Sequence, residues 1–428
     1  MDIFSDIESN VRSYCRSFPE LFTKAKGSKL VAASGKEYID FFAGAGALNY
    51  GHNNDFIKER IVNYIMEDGV MHALDMYTQA KKEFLVTFNE YILKPRKLNY
   101  KIQFPGPTGT NAVEAALKLA RKVKNRTGIF SFMGGFHGMS LGSLAVTSNY
   151  YHRKGAGIPL DNVTFIPYYN TFDNGFDSID YLAKILADSH SGIEKPAAII
   201  FETVQAEGGI NVAPIDWLQR LSELCCKEDI LLICDDIQVG CDRTGTYFSF
   251  ERAGITPDIV VLSKSISGYG FPLSMLLFKP ELDIWQPGEH NGTFRGNQLA
   301  FVAGQAALEY RKSTSLSDEV RLKARFLESF LKEQVASIHQ QIEIRGLGMI
   351  WGVDLSRCGE GEPAKEVARR CFELGLIIER VGRGDTVLKV MPPLNIHRDE
   401  LMKGCQILGQ AIRETIGNKP AAGLKDVL

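Results

Sequence analysis

The stretches Leu231-Leu-Ile-Cys-Asp235 and Asp258-Ile-Val-Val-Leu-Ser-Lys264 decide the fold that this sequence predicts. Each is a short apolar run, rich in β-branched residues, that ends in an ionisable side chain. Such runs are typical of strands buried on both faces of a sheet. Similar strands are predicted at 101–104, 129–132, 163–166, 197–201 and 274–278, and amphipathic helices at 77–93, 111–124, 178–189, 215–227 and 297–311. This alternation predicts an α/β fold with a mostly parallel, doubly wound sheet, whose sites lie beyond the carboxyl ends of the strands.

Changes in the pattern of predicted helices and strands divide the chain into three parts. Residues 1–43 are predicted to form an N-terminal segment that packs with a smaller C-terminal domain. Residues 44–311 hold the predicted sheet and form the large domain. Residues 312–428 are predicted to form the smaller α+β domain, with helices at 317–335, 364–374 and 398–416 and strands at 343–345, 349–354 and 386–391.

The bulk composition is that of an ordinary globular protein. Hydrophobic residues make up 45% and charged residues 23% of the 428 positions. The 49 Lys and Arg nearly balance the 51 Asp and Glu, for a formal net charge of -2, so no nucleic-acid or membrane partner is predicted. Apolar runs are too short to cross a bilayer and no signal peptide is recognised, so a cytoplasmic location is expected. The 8 cysteines lack metal-type spacing, which predicts no metal site.

The ionisable ends of the two quoted strands suit pyridoxal phosphate, a pyridine cofactor. A lysine amine bonds the aldehyde carbon of this cofactor, and a carboxylate holds its ring nitrogen protonated. Most lysines are solvated, but partial burial of Lys264 would lower its pKa and favour a nucleophilic amine. Asp235 is preferred to Asp236 because it directly follows Cys234 on the inward face of the strand. The sequence therefore predicts a pyridoxal phosphate enzyme with Lys264 and Asp235 as catalytic residues.

The loop from Pro105 to Asn111 is a candidate phosphate site. It joins a strand to a helix, and the spacing of Asn111 and Glu114 is that of a capping box at the helix start. Amides at a helix start attract phosphate, Gly109 would let it come close, and the hydroxyl of Thr110 would donate. A capped loop without a ligand is equally compatible with this stretch alone.

Two further strand exits carry candidate site residues. Phe136 and His137 lie in a glycine turn where a flat ring would stack on one of them, although loop packing explains them equally well. Glu202, Gln205 and Glu207 follow an apolar strand, where the alternative is a surface turn.

Together these stretches resemble the class III (ω-amino acid) aminotransferases of pyridoxal phosphate fold type I, from about residue 38 to residue 394. The resemblance is carried by Gly106-Pro-Thr-Gly-Thr-Asn-Ala-Val-Glu114, Gly135-Phe-His-Gly138, Glu202-Thr-Val-Gln-Ala-Glu-Gly-Gly209, Asp235-Asp-Ile-Gln-Val-Gly240, Ser263-Lys264, Gly292-Thr-Phe-Arg-Gly-Asn297 and Met391-Pro-Pro-Leu394. No single stretch is specific, but their number and order are.

The resemblance implies a role for each matching position. Lys264 would form the internal aldimine, Gln238 would contact the phenolic oxygen of the cofactor, and Thr293 would reach the phosphate from a second subunit. It thus implies a homodimer with shared active sites, with a tetramer as the alternative. The predicted cofactor-binding residues are Gly109, Thr110, Phe136, His137, Glu202, Asp235, Gln238, Lys264 and Thr293.

Three further positions are predicted to bind the substrate. Lys389 lies at the position where many relatives carry an arginine that binds a substrate carboxylate. A lysine cannot make the same bidentate hydrogen bonds. Glu207 matches the acid that pairs with this arginine, so a Glu207–Lys389 pair is expected. Arg295 would supply a carboxylate contact, or alternatively a structural ion pair.

The resemblance also implies a reaction between a small-molecule amino donor and an oxo acceptor. The stretches 106–114 and 292–297 favour amino transfer between L-glutamate and L-aspartate 4-semialdehyde, which gives L-2,4-diaminobutyrate and 2-oxoglutarate. The alternatives are an ω-aminotransferase for acetylornithine, ornithine, 4-aminobutyrate or a diamine, an aminomutase, and an α/β protein that binds no pyridoxal phosphate.

Overall fold

The first part of the chain forms a small antiparallel sheet that a strand from the far end of the chain completes. The computed structural model describes residues 3–172 and 175–417; the end of the predicted C-terminal domain, 418–428, lies outside them. The elements of this part are α1 (Ile3–Ile7), α2 (Tyr14–Ser17), β1 (Phe22–Lys26), β2 (Lys29–Ala32), β3 (Glu37–Asp40), α3 (Ala43–Gly46), α4 (Asp55–Met66) and α5 (Gln79–Phe88).

The middle of the chain forms a seven-stranded sheet. Its elements are β4 (Lys101–Gln103), α6 (Gly109–Lys124), β5 (Ile129–Phe132), α7 (Leu141–Val146), α8 (Tyr150–Lys154), β6 (Val163–Ile166), α9 (Ser178–Ala187), β7 (Ala198–Phe201), β8 (Val204–Gln205), β9 (Asn211–Val212), α10 (Ile215–Lys227), β10 (Leu231–Asp235), β11 (Ile259–Leu262) and β12 (Met275–Phe278). The strand order is β4-β12-β11-β10-β7-β5-β6. Only β12 runs antiparallel to its neighbours, β4 and β11; the other neighbours pair in parallel.

Both faces of this sheet are buried, as the continuous apolar runs predict. Leu232 and Cys234 of β10 belong to the core on one face. Leu231 and Ile233 belong to the core on the other face, which also contains the alanine-rich side of α6. Successive strand residues point to opposite faces, so a run without polar interruptions fits only a sheet that is covered on both sides. The predicted mostly parallel, doubly wound sheet is confirmed.

The last part of the chain packs helices against a further four-stranded sheet. Its elements are α11 (Gln298–Ser313), α12 (Leu316–Ser329), β13 (Glu343–Leu347), β14 (Ile350–Asp354), α13 (Pro363–Glu373), β15 (Leu376–Ile377), β16 (Glu379–Val381), β17 (Val387–Val390) and α14 (Arg398–Ile416). The sheet order is β13-β14-β17-β16. The short strand β15 pairs in parallel with β3 and so connects the two ends of the chain. The predicted domain boundaries at 43/44 and 311/312 stay a prediction.

Several element ends differ from those predicted. The helices predicted at 77–93 and 317–335 leave regular α-helical geometry at Phe88 and Ser329 and continue as wider π-helical turns. Apolar periodicity continues through such a turn, so the pattern does not reveal it. The sequence also gave no specific sign of α4, β15 or β16. In the described ranges, no helix has the length and apolar character needed to cross a membrane.

Two glycines of α14 provide a matched test of how tightly the C-terminal helix packs on the N-terminal part. A Cβ on Gly404 would overlap the ring of Phe41, whereas a Cβ on Gly409 would come no nearer than 3.6 Å to the end of Arg413. We expect Gly404→Ala to destabilise the protein by about 1–3 kcal/mol through overpacking. We expect Gly409→Ala to stabilise it by about 0.5–1 kcal/mol, because alanine favours helix. Chemical denaturation of both variants would measure the difference, and equal effects would contradict this packing.

Candidate active site

Three neighbouring strands deliver ionisable side chains to one edge of the large sheet. Asp235 is the last residue of β10 and pairs with Val261 of β11, so Lys264 follows just beyond the end of β11. Glu202 directly follows β7, whose last residue pairs with Cys234 of β10. Since these strands are parallel, their carboxyl ends meet at the same edge, and the side chains of all three ionisable residues line one cavity.

The space in this cavity, including its opening to solvent, amounts to about 630 Å³. It brings together most of the predicted cofactor-binding residues, namely Gly109, Thr110, Phe136, His137, Glu202, Asp235, Gln238 and Lys264. Glu207, one of the predicted substrate-binding residues, also lines it.

The carboxylate of Asp235 is held rigidly at the cavity. Nδ1 of His137 lies 2.7 Å from Oδ2 of Asp235, and the backbone amide of Ile237 donates to Oδ1 at 3.2 Å. Asp235 and His137 are both buried. His137 therefore orients Asp235. This contact accounts for the position of His137 without the stacking on a flat ring that the sequence analysis offered as an alternative.

The neighbouring Asp236 lies outside the cavity. Its carboxylate accepts a hydrogen bond from the backbone amide of Ser249 at 3.1 Å. Burial, aided by the charge of Asp235 and opposed by the hydrogen bonds from Ser249, raises the pKa of Asp236 to about 7. The two aspartates are thus separated by the alternation of strand side chains, as the choice of Asp235 assumed.

Lys264 lies in a backbone conformation that few residues other than glycine adopt. Its φ is 52°. Such left-handed values are strained for residues other than glycine and occur mainly at functional sites. Its Nζ donates to the carbonyl oxygen of Ala45 at 2.8 Å. Burial, reinforced by the charge of Lys389 and opposed by that of Glu207, lowers the pKa of Lys264. The amine is therefore more easily deprotonated than a solvated lysine.

The start of α6 forms a second wall of the cavity and corrects the predicted capping box. The helix begins at Gly109, two residues earlier than predicted, because Thr108 is the capping residue and Asn111 its partner. The Thr108 hydroxyl donates to Oδ1 of Asn111 at 2.8 Å. Glu114, the predicted partner, instead accepts from the amides of Gly142 and Ser143 at the start of α7.

Glycines let the backbone approach this wall closely. A Cβ on Gly109 would lie 2.8 Å from Cδ1 of Ile237, and one on Gly138 would lie 2.7 Å from Oγ1 of Thr110. Gly138 also has a φ of 128°. Backbone amides at the start of a 16-residue helix attract an anion such as phosphate.

Glu202 and Phe136 form the wall opposite the helix start. The amide of Phe136 donates to Oε2 of Glu202 at 3.2 Å, which fixes the turn that carries the aromatic ring. Burial, together with the charge of Asp235, raises the pKa of Glu202 well above its usual value. A protonated Glu202 can donate a hydrogen bond to a ligand in the cavity.

Lys389 is fully buried between two carboxylates. Its Nζ lies 2.6 Å from Oε1 of Glu207 and 2.7 Å from Oε2 of Glu379. Burial disfavours the charged lysine, but the two carboxylates outweigh burial and raise the pKa of Lys389. Burial likewise opposes ionisation of Glu207, but Lys389 and Lys264 lower its pKa. The structure thus contains the expected Glu207–Lys389 pair.

Gln238 and Glu379 complete this group. Nε2 of Gln238 donates to Oε1 of Glu207 at 3.1 Å and to the carbonyl oxygen of Ala45 at 2.9 Å. Sequence reasoning missed Glu379. It lies directly opposite Lys389 in the β16–β17 pair, and the signal that would have revealed it is an antiparallel pairing of 379–381 with 387–389.

Three predicted site residues do not line this cavity within one chain, namely Lys389, Thr293 and Arg295. Thr293 is exposed. Arg295 lines a different cavity, where its Nε donates to the carbonyl oxygen of Phe104 at 3.1 Å and its Nη1 to Oδ1 of Asn291 at 2.8 Å. Its role, as a carboxylate contact or as part of a structural ion pair, stays a prediction. In the same ranges, no three His, Cys, Asp or Glu side chains gather as metal ligands would.

The donors and acceptors of the cavity fit pyridoxal phosphate. The start of α6 would hold its phosphate, Phe136 would cover a face of the ring, and Asp235 would face the ring nitrogen. Lys264 supplies the amine that its aldehyde requires. Glycine is required at 109 and 138 because a Cβ there would overlap Ile237 or Thr110.

Comparison with known proteins identifies similar chains. The family model described as aminotransferase class-III matches residues 13–412. Diaminobutyrate–2-oxoglutarate transaminase from Halalkalibacterium halodurans is 54% identical over 98% of both chains. The protein of the same name from Streptomyces coelicolor is 53% identical over 97% of this chain and 98% of its own.

Solved structures show the same fold. The structure of the ornithine aminotransferase from Toxoplasma gondii, with PLP at partial occupancy in its active site, has a TM-score of 0.83 at 25% identity and covers 96% of this chain and 93% of its own. The S-selective transaminase from Arthrobacter has a TM-score of 0.86 at 21% identity over 97% of both chains, which supports the fold alone.

Proposed function

The chain belongs to the class III aminotransferases, and on that premise we propose that it is a pyridoxal phosphate enzyme that makes L-2,4-diaminobutyrate. The amino group would pass from L-glutamate to L-aspartate 4-semialdehyde, which leaves 2-oxoglutarate. Relatives 52–54% identical to this chain, with the name diaminobutyrate–2-oxoglutarate transaminase, support the choice of substrates. The observation that supports the chemistry is the convergence of Lys264, Asp235 and the start of α6 on one cavity.

Asp235 would control the proton on the cofactor ring. When bound, pyridoxal phosphate supplies an aldehyde that condenses with amines and a pyridinium ring that accepts electrons from a broken C–H bond. The buried carboxylate of Asp235 holds the proton on the ring nitrogen, because an adjacent negative charge favours the protonated form. His137 and the amide of Ile237 hold that carboxylate in position.

Lys264 would move the proton at the reacting carbon of the substrate. Its amine would take the proton from the carbon that bears the transferred amino group. It would then donate this proton, as a general acid, to the former aldehyde carbon of the cofactor. A lowered pKa supports this role, since a lysine must lose its own proton before it can accept another.

The substrate would enter through a second, larger cavity that adjoins the first. Its space, including the opening to solvent, is about 2580 Å³, and Phe136, Glu207 and Lys264 line both cavities. Glu207 and Lys389 would then lie near the end of the substrate that does not react. The carboxylate contact of Arg295 would require a second subunit, because Arg295 lies outside both cavities in its own chain.

We further propose a homodimer in which Thr293 reaches the phosphate of the partner subunit, with a tetramer of such dimers as the alternative. The side chain of Phe294, next to Thr293, is 71% exposed. An exposed aromatic in a loop that carries a predicted cofactor contact is consistent with an interface there. The cytoplasm is the proposed location.

A screen of amino donors and oxo acceptors would test the proposed reaction. We expect 2-oxoglutarate-dependent consumption of 2,4-diaminobutyrate to exceed that of acetylornithine, ornithine and 4-aminobutyrate. A stronger reaction with any of these would replace the proposed substrate while leaving the aminotransferase chemistry in place. Turnover without any added oxo acid would instead support the aminomutase alternative.

A further inference from the structure

We propose that Glu379 binds the second ammonium group of a diamino acid substrate and is thereby a specificity-determining residue. This inference rests on the proposed function, since it explains how the same site would distinguish a diamino acid from an amino acid with one ammonium group. Glu379 belongs to a buried group of charges with Glu207 and Lys389, here called the Lys389 triad.

The charges of the Lys389 triad do not balance. Lys389 is the only cation of the triad and lies within 2.7 Å of a carboxylate oxygen of each acid. When both acids are ionised, the triad carries one negative charge in excess, which the nearby Lys264 offsets only while its amine is protonated. A buried charge is costly unless an opposite charge or hydrogen bonds compensate it, so the triad favours a cationic group nearby.

The compensation is least complete at Glu379. Lys389 donates a hydrogen bond to Glu207 at 2.6 Å, and Gln238 donates a second one to the same oxygen. Oε2 of Glu379 is buried and pairs with the Lys389 ammonium at 2.7 Å, at an angle outside hydrogen-bonding geometry, and the Tyr14 hydroxyl is a further donor near this carboxylate. Glu207 accepts from both Lys389 and Gln238, so Glu379 is the acid that retains an oxygen able to accept from an added donor.

Glu379 lies where the non-reacting end of a substrate would be. It lines the larger cavity together with Lys264 and Glu207. Arg380 and Arg383 also line that cavity. An α-amino acid end carries one ammonium and one carboxylate, so a surface with an unsatisfied acid and nearby arginines matches both of its charges.

The same acid can adapt to a substrate without a second ammonium. Burial and the charge of Glu207 raise the pKa of Glu379, although the charge of Lys389 opposes this effect. A carboxyl group with a raised pKa takes up a proton more easily when no cation is present. Glutamate, whose far end is a carboxylate, would then meet a neutral Glu379 rather than a second negative charge.

The test compares two amines that differ at this group alone. 2,4-Diaminobutyrate and 4-aminobutyrate have the same carbon chain and reacting amine, but only the first has an α-ammonium. Each amine, and glutamate, would be mixed with the holoenzyme while the visible absorbance of the cofactor is followed. We expect Glu379→Gln to raise the half-saturating concentration of 2,4-diaminobutyrate by about tenfold or more, because a charged hydrogen bond is lost. The value for 4-aminobutyrate should change little.

The control is Glu366→Gln, which removes an acid from the outer wall of the same cavity, where Glu366 already pairs with Arg369. It should leave the preference between the two amines unchanged. An unchanged preference in Glu379→Gln would overturn the inference, since a purely structural role would weaken both amines alike. If that variant does not fold, equal half-saturating concentrations of both amines in the wild type would overturn it as well. Failure of the proposed function would look different, because the wild type would then respond to neither 2,4-diaminobutyrate nor glutamate.

Discussion

Replacement of Lys264 by alanine is expected to lower turnover by at least about 10²–10⁴-fold, the usual contribution of a general acid–base group. The loss follows from the position of its amine at the cavity and from the burial that lowers its pKa. Lys389, the other lysine of this region, does not offer the same proton transfer. Lys389 is held by two carboxylates that raise its pKa, so its ammonium does not become a base near neutral pH.

The measurement is turnover with 2,4-diaminobutyrate and 2-oxoglutarate, together with cofactor content. The variant should still bind pyridoxal phosphate, because the start of α6, Phe136 and Asp235 remain in place. Lys279→Ala is the matched control, since Lys279 pairs with Asp258 at the opposite end of the sheet strands. Normal turnover in Lys264→Ala would show that another group carries the reaction.

Replacement of Asp235 by asparagine is expected to lower the rate constant for breaking the substrate C–H bond by about 10²–10³-fold. This is the typical effect of removing one preorganised electrostatic group. Asparagine preserves shape but carries no charge, so it cannot hold a proton on the cofactor ring. The ring then accepts electrons poorly when the C–H bond breaks. The variant should still bind the cofactor. Single-turnover kinetics with 2,4-diaminobutyrate or glutamate would isolate the step in which the C–H bond breaks.

Asp236→Asn is a stringent control because the two positions are adjacent in the chain. The Asp236 carboxylate accepts from the amide of Ser249, and the oxygen of an asparagine can accept the same bond. Its activity should stay close to that of the wild type. If the two variants lost activity equally, the assignment of the ring contact to Asp235 would have to be abandoned.

The sequence predicted the features of this molecule that depend on local patterns. Apolar runs such as 231–234 specified buried strands, and the residues that end them specified where the site lies. Asp235, Lys264 and Glu202 could be chosen together because parallel strands end at the same edge. The cavity of the structure contains all three.

The features that escaped prediction depend on contacts between distant segments. The sequence predicts a capping box at Asn111–Glu114, whereas tertiary hydrogen bonds direct Glu114 to the start of α7. Glu379 gains its role from the pairing of β16 with β17, which spacing alone does not reveal. Arg295 contacts a carbonyl oxygen from a residue 191 positions away, so its surroundings could not be read from its neighbours in sequence.

Borohydride reduction followed by peptide mass analysis tests the central assignment most directly. Reduction of the holoenzyme should remove its visible absorbance and fix pyridoxal phosphate permanently to one peptide, the one that contains Lys264. Attachment to Lys389 or any other lysine, or an active enzyme with no covalent label at all, would contradict the account.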